Sequence, residues 1–377
     1  MKVLMFSNDP NILVDGAQAQ RRMIRYAELC DELHLVVLTA TPSPDRVLGN
    51  LFAYAAPSRS ALMQRLYAWS VARRLCKAKA FDLMSVQAPD ELGLIGYLLS
   101  RHFRIPLQLQ VHTDVFSPWY TKGSPVSWVR NRIARFLLAR VDCLRVVSER
   151  IKRSIVTLRV RNQESGIAVL PIYTDVAAFL AAQANPATEA RFRGYELRMV
   201  AAGRFVEKEK NFLLLIEVMR ELVRTCPRAL LVIVGEGRAR KHYASRIRNY
   251  GLENNVMIEP WRNDLPSFYQ SFDLFLLSSN YEGWGRVVIE AMAAGLCVVM
   301  TDVGLAGEVV RSGENGMMVP VADRRAFLAA LADLCNTPEK RRRLAAAGRA
   351  TVRRLRPRTE AEYLMLYKEA LAACTVR

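Results

Sequence analysis

Short, nearly continuous apolar runs alternate along this chain with stretches of helical period. The runs "KVLMFS" (2–7), "LHLVVLT" (33–39), "FDLMSVQ" (81–87), "PLQLQVH" (106–112), "CLRVVS" (143–148) and "GIAVLP" (166–171) read as buried strands. Between the first two, residues 17–31 set Met23, Ala27 and Cys30 on one helical face, and another helix is expected near 91–102. The pattern restarts at "LRMVAAGRF" (197–205), with strands expected at 229–237, 256–261, 273–279 and 297–302. Helices are expected near 211–224, 238–249 and 264–270, after Glu282, and from 323 onward. Strands separated by helices make βαβ units and parallel sheets. The expected class is α/β: two doubly wound, Rossmann-like domains, 1–188 and 189–356, facing each other across a cleft. The 377-residue length suits two domains. Residues 172–194, polar and Ala-rich with Pro186, read as the linker, and a last helical segment, 357–377, is expected to pack back on the first domain.

Ligands of such sheets bind outside the carboxyl ends of the strands. The loops that matter are therefore 8–17, 112–118, 203–211, 235–238, 260–264 and 279–286. Composition narrows the classes. Hydrophobic residues at 51% and charged residues at 24% describe a globular chain, and the longest apolar runs, such as 229–235, are too short to span a bilayer. The first run is closed at once by Asn8, Asp9 and Pro10, so it reads as a strand rather than a signal peptide. Seven cysteines stand singly at 30, 76, 143, 226, 297, 335 and 374, with no C-x-x-C, and four histidines are isolated. This usage suggests reduced thiols, a cytoplasmic setting and no metal site.

The formal charge of +18 changes the picture more, because a basic surface attracts polyanions. Residues 59–79 carry only positive charges, with Leu62, Leu66 and Trp69 against Arg65, Arg73, Arg74 and Lys77 at helical spacings. Residues 127–140 repeat the design, with Trp128, Ile133, Phe136 and Leu137 against Arg130, Arg132, Arg135 and Arg140. Such helices suit an anionic membrane surface, on the inner face of the cell membrane. They equally suit surface helices whose apolar stripe packs on a core. No RNP-like strand, zinc finger or helix-turn-helix is present, so nucleic acid is not the expected partner.

Candidate chemistry concentrates in "SSNYEGWGRVVIEAMAAGLCVV" (278–299), a strand, a glycine-rich turn and a helix. Gly283 and Gly285 let backbone approach a ligand closely, and Trp284 lies between them. The amides of Arg286, Val287 and Val288 form an anion site at the helix start. Glu282 and Glu290 add hydroxyl acceptors on either side, an arrangement suited to a sugar nucleotide. The bland reading is a helix-dipole partner at Glu282 and a solvated Glu290. His112 closes a first-domain strand and fits either a satisfied core residue or a ligand contact. Asp15 and Gly16 end the first βα loop, where Gly16 would bring backbone near phosphates or acceptor, and Asp114 fits either a structural or an acceptor-binding role.

The form E-G-[aromatic]-G-x-x-x-x-E-A, from Glu282 to Glu290, resembles the signature of retaining nucleotide-sugar glycosyltransferases of GT-B fold, often called family 4 (glycosyltransferase group 1). "VAAGRF…KNFLLLIEV" (200–218) and "VVMTDVGLAGEVVRSGENGMMVP" (298–320) are similar to flanking segments of that family. "VLPIYTD" (169–175) stands where the family usually carries an Asn-Gly pair. The resemblance covers nearly the whole chain, strong in 197–320 and diffuse before it. It implies that Arg204 grips the donor diphosphate with a following lysine. Here "GRFVEKEKN" is one residue longer than the common pattern, making Lys210 the first choice and Lys208 the second. It further implies that Glu290 holds ribose hydroxyls, that Glu282 contacts the donor sugar, and that Gly283 to Gly285 offer amides to sugar and phosphate. Gly235, Glu236 and Trp261 or Arg262 fall where the base is cradled, and His112 faces the donor sugar.

The function so implied is retaining transfer of a hexose from a UDP- or GDP-sugar to a hydroxyl acceptor, a lipid-linked sugar or glycolipid in envelope polysaccharide synthesis. Arg204, Lys210 and the helix amides take the leaving-group charge, so no metal or other cofactor is implied. Two rivals are a catalytically weak nucleotide-sugar-binding subunit, for which the altered 203–211 loop leaves room, and a nucleotide-sugar epimerase on the same scaffold. The epimerase needs an acid-base set around the sugar that the sequence does not display.

Overall fold

The apolar runs build two sheets, each in its own compact unit. The computed structural model describes residues 1–158 and 166–375. One unit is Met1–Pro171 with Glu360–Arg377, the other Ile172–Thr359.

The first unit runs β1 (Lys2–Ser7), α1 (Gln18–Ala27), β2 (Glu32–Thr39), β3 (Arg46–Leu48), β4 (Leu51–Pro57), α2 (Ala61–Ala78), β5 (Leu83–Val86) and α3 (Glu91–Phe103). It continues with β6 (Leu107–Val111), α4 (Pro118–Thr121), α5 (Pro125–Leu138), β7 (Cys143–Val146), α6 (Glu149–Thr157) and β8 (Ile167–Val169). The sheet order is β3-β4-β2-β1-β5-β6-β7-β8. It is parallel except for β3, which pairs antiparallel with β4 at the edge. The strand β4 and its hairpin partner were not among the expected elements.

The second unit begins with α7 (Ala177–Ala181), α8 (Pro186–Phe192), β9 (Leu197–Ala202), α9 (Glu207–Lys210), α10 (Phe212–Leu222), β10 (Ala229–Val234), α11 (Arg240–Asn249) and β11 (Val256–Glu259). Then come α12 (Leu265–Tyr269), β12 (Leu274–Leu277), α13 (Arg286–Ala294), β13 (Cys297–Thr301), β14 (Met317–Val319), α14 (Arg324–Asn336) and α15 (Pro338–Arg354). Its sheet order is β11-β10-β9-β12-β13-β14, all parallel. Every residue of β10 is buried, as a central strand covered on both faces requires.

Two expectations need correction. The boundary falls at Pro171, not at 188. The stretch read as linker folds onto the second unit: Phe192 is fully buried against Phe268 and Phe272, with ring centroids 6.3 and 5.3 Å apart, and burial of such a ring contributes about 1.5–3 kcal/mol. The cysteines are not all single. Cys143, opening β7, is paired in a disulfide with Cys374, their Cα atoms 5.7 Å apart, a usual disulfide span. That pairing follows from the return of the last helix, α16 (Glu360–Ala372), to the first unit, a proximity that no local spacing displays.

Candidate active site

In the second unit, four loops at the carboxyl ends of β9, β10, β12 and β13 meet one another. After β9, the Gly203–Phe205 loop lies in backbone contact with the loop after β10. Gly235, at φ +154°, leaves no room for a side chain: a Cβ there would sit 1.9 Å from the Gly203 carbonyl oxygen. A Cβ on Gly237 would lie 2.7 Å from the Phe205 carbonyl oxygen. The Phe205 amide donates to the Glu236 carbonyl at 2.7 Å, so Glu236 supports this junction through its backbone while its side chain is exposed.

The loop after β12 is strapped to α9. Ser278 Oγ donates to the Lys210 carbonyl (2.8 Å), the Asn280 amide to the Glu209 carbonyl (2.8 Å), and Asn280 Nδ2 to the Lys208 carbonyl (3.1 Å). This fixes Lys210 against Glu282: Lys210 Nζ lies 2.5 Å from Glu282 Oε1 and 2.9 Å from Glu209 Oε1. Ser279 Oγ donates to the same Glu282 oxygen at 2.8 Å. Both charges are nearly out of solvent, with 13% of the Lys210 side chain exposed and 11% of Glu282. Burial works to lower the Lys210 pKa, but the Glu282 and Glu209 carboxylates prevail and hold it above its ordinary value. Arg204, by contrast, has 75% of its side chain exposed and pairs with Glu209 at 3.3 Å. The result is a chain of alternating charge, Arg204–Glu209–Lys210–Glu282. Lys208 contributes its carbonyl to the strap, whereas Lys210 enters the charged cluster.

Glu209, Ser279 and Asn280 were not foreseen. The signal for Glu209 was the longer 203–211 loop, whose last residues form α9 and carry the counter-charge.

The glycine-rich turn leads into α13, capped by Gly285 at φ +103° and closed by Gly295 at φ +87°. The Val288 amide is not free as expected. It donates to the Gly285 carbonyl at 2.9 Å, because the first turn of the helix tightens. The amides of Arg286 and Val287 precede any intrahelical acceptor and stay directed out of the helix start. Trp284 is buried, and its indole nitrogen has no partner among the described residues. Gly283 is buried beside it.

Glu290 is also buried rather than solvated, with Oε1 3.4 Å from Arg286 Nη2. Burial raises its pKa and Arg286 offsets only part of this. Trp261 is exposed, while Arg262 is engaged by Asp264 (2.7 Å) and lies over the Phe268 ring, so of the two the tryptophan is the one left open.

In the first unit, His112 follows β6 and is half-buried, its Nε2 3.2 Å from Gln110 Oε1. Burial, then the charges of Arg145 and Arg22, push its pKa down to about 3. Gly16 adopts φ +72° and donates its amide to Gln20 Oε1 at 3.0 Å. Asp15 pairs with Arg46 (3.2 Å), and Asp114 accepts the Phe116 amide (3.1 Å), which gives both structural partners.

Comparison with known proteins then places the whole chain. The model of the glycosyl transferases group 1 matches residues 189–351, and that of the glycosyl transferase 4-like domain matches 16–171. The chain belongs to the group 1 glycosyl transferases. The lipopolysaccharide core biosynthesis glycosyltransferase LpsE of Rhizobium meliloti is 32% identical over 154 residues, which cover 41% of this chain and 44% of LpsE, so the match spans less than half the length of that relative. The phosphatidyl-myo-inositol mannosyltransferase of Mycobacterium tuberculosis is 27% identical over 361 residues, 90% of this chain and 89% of its own. The crystal structure of HepE of Anabaena, in complex with UDP and glucose, superposes with a TM-score of 0.74 at 19% identity over 100% of both chains, showing the GT-B fold.

Within this group 1 glycosyl transferase, the Glu290 carboxylate gives a test of its own. Burial raises its pKa in the folded chain above 4.5, and the expected role of holding ribose hydroxyls needs its ionised form. Nucleotide affinity is therefore expected to fall on acidification while the pH is still above 4.5. Calorimetric titration with a nucleoside diphosphate checks this: the acid-side loss should disappear in Glu290→Gln, and an identical pH profile in the variant would remove Glu290 from ribose binding.

Proposed function

We propose that this chain transfers a hexosyl group, with retention, from a nucleoside-diphosphate sugar to a hydroxyl of a lipid-linked sugar or glycolipid. The observation that carries the reading is the buried Lys210–Glu282 pair at the entrance to α13. In the proposed step the bond between C1 and the diphosphate oxygen breaks. Lys210, Arg204 and the Arg286 and Val287 amides stabilise the departing charge. The acceptor oxygen joins C1 on the same face, and its proton passes to the leaving phosphate oxygen. Glu282 is held by Lys210 and Ser279, which suits a hydroxyl acceptor and orienting group better than a free nucleophile. Glu290 takes the ribose hydroxyls, and the 235–237 loop and Trp261 take the base. The UDP in the HepE complex and the lipid substrate in the mannosyltransferase's name support the donor and acceptor classes.

The direct test is a panel of UDP-, GDP-, ADP- and dTDP-sugars read by thermal shift and slow hydrolysis. A donor at 100-fold its dissociation constant should add about 2.7 kcal/mol of stability. One base and one sugar should stand out, and the shift should vanish in Arg204→Ala and Glu290→Ala. A panel with no response would overturn the transferase reading.

The same proposal places the protein against an anionic membrane. Among the described residues no helix is long and apolar enough to cross one. On α2, however, the expected apolar stripe does not face the core. Leu62 is 69% exposed and Leu66 is exposed beside it, while Ala68, Ala72 and Leu75 are buried instead. On α5, Trp128 is 59% exposed with Val126 and Val129. Arg65 of α2 and Arg130 of α5 both pair with Glu91 at the start of α3, at 3.5 and 2.9 Å, which draws the two helices together. Co-sedimentation with phosphatidylglycerol vesicles is expected, weakened by salt and by Leu62→Gln/Leu66→Gln/Trp128→Gln. Unchanged sedimentation of the triple variant would remove these helices from the membrane contact.

A further inference from the structure

Strand β6 and the residue after it carry an unusual pattern for a buried strand: Gln108, Gln110 and then His112 alternate with Leu107, Leu109 and Val111. Alternate residues share one face, and this face meets α16. Gln108 and Gln110 are both fully buried, so their amides must be satisfied by neighbours. Gln108 Nε2 donates to the Ala370 carbonyl of α16 at 2.6 Å. Ser85 Oγ donates to Gln108 Oε1 at 3.1 Å and accepts from Gln110 Nε2 at 2.9 Å. Gln110 Nε2 also reaches Tyr367 Oη at 3.1 Å. Gln110 Oε1 accepts from Arg145 Nη1 at 2.7 Å and lies 3.2 Å from His112 Nε2.

The direction of this relay is determined at both ends. A carbonyl can only accept, so Ala370 orients the Gln108 amide. A guanidinium can only donate, so Arg145 orients the Gln110 amide with its oxygen toward both Arg145 and His112. Arg145 is itself fixed, with Nη2 on the Leu170 carbonyl (3.2 Å) and Tyr363 Oη (2.9 Å), and its guanidinium 5.0 Å from the Tyr367 ring centre. An amide oxygen facing Nε2 requires the proton to be on Nε2.

We infer that Gln110 and Arg145 are positioning residues that hold His112 as the neutral Nε2–H tautomer, leaving Nδ1 to accept a hydrogen bond from a hydroxyl of the sugar substrate. The final clause rests on the transferase reading above; the tautomer itself does not. The charged groups acting on the imidazole are Arg145 from β7 and Arg22 from α1, and both oppose a second proton. His112 thus acts as an acceptor and is not a general acid. The last helix, 218 to 262 residues away in sequence from the side chains it meets, sets this through Ala370, Tyr367 and Tyr363.

The test uses the full chain labelled with 15N at histidine and long-range 1H–15N spectra at neutral pH, with His112→Asn to assign one signal among the four histidines. His112 is expected as Nε2–H in the wild type and in Gln110→Glu, whose carboxylate still accepts. Gln110→Leu should shift it toward Nδ1–H and lower kcat about tenfold, the loss of one aligned hydrogen bond, with donor KM nearly unchanged. Gln110→Glu should restore the rate. A wild-type Nδ1–H or charged imidazole overturns the inference even if Gln110→Leu fails to fold, and so does an unchanged kcat in Gln110→Leu. Turnover with an Nδ1–H His112 refutes the relay and leaves the transferase reading intact; an Nε2–H His112 without turnover does the reverse.

Discussion

Lys210→Met is expected to abolish most turnover and to lower the melting temperature of the second unit by roughly ten degrees. The side chain neutralises Glu282 and Glu209 inside a nearly dry loop cluster. Removing the cation from such a pair leaves buried carboxylates without a partner, at a cost of about 3–5 kcal/mol, and each kcal/mol moves the midpoint of a unit this size by about 2–4 °C. Turnover should fall by about 100- to 1000-fold, the usual effect of removing one group that stabilises transition-state charge. Glu282→Gln should be milder for stability, because Glu209 still pairs with Lys210. The double variant should regain part of the loss, with a coupling of about 1–3 kcal/mol. The pH dependence has a definite sign. The Lys210 pKa is raised above 10.5 in the folded chain, so its stabilisation is complete at neutral pH and is lost only as pH rises through that raised value. Calorimetry and radiometric transfer check the series. A Lys210→Met protein that melts like the wild type and still turns over would exclude the pair from both roles.

Gly304→Ala should produce the second large effect, from a residue with no chemistry of its own. Gly304 follows β13 at φ +55°, and a Cβ there would lie 2.4 Å from the Trp284 carbonyl oxygen and 3.0 Å from Glu282 Cβ. The Leu305 amide donates to that same Trp284 carbonyl at 3.0 Å, and Thr301 Oγ1 to the Ser279 carbonyl at 2.7 Å. A methyl group must therefore displace the loop that carries Glu282. Backbone strain and overpacking together should cost about 3 kcal/mol or more, and donor affinity should fall with stability. Gly251→Ala is the control: it shares a positive φ of +66° but meets nothing within 4 Å. It should cost about 1 kcal/mol and leave donor binding unchanged. Denaturant melts and calorimetric titration distinguish the two, and equal losses in both would assign the effect to backbone conformation alone.

Much of the fold was legible because buried parallel strands are written as continuous apolar runs. β1, β9, β10, β12 and β13 all stand where such runs were seen. The β3–β4 hairpin was not, because the edge pair mixes Tyr, Ala and Arg without a clean period. In the site, the glycines around Trp284 and the two glutamates were visible as a motif. That Glu282 pairs with a lysine was not visible: Lys208 and Lys210 were read only as alternative companions of Arg204, and α9 had to be folded and strapped by Asn280 before Lys210 met Glu282.

The sequence by itself determined the two α/β sheets, the glycine-rich turn that leads into α13 and the family, because strand burial and a glycine-rich turn before a helix are local properties of consecutive residues. Tertiary structure decided what each charge touches. It buried Glu290, exposed Leu62 and Trp128, paired Cys143 with Cys374, and brought α16 onto Gln108, Gln110 and Arg145. Those outcomes depend on contacts between residues hundreds of positions apart, and hydrogen-bond direction and desolvation act only once such groups are within a few ångströms of one another.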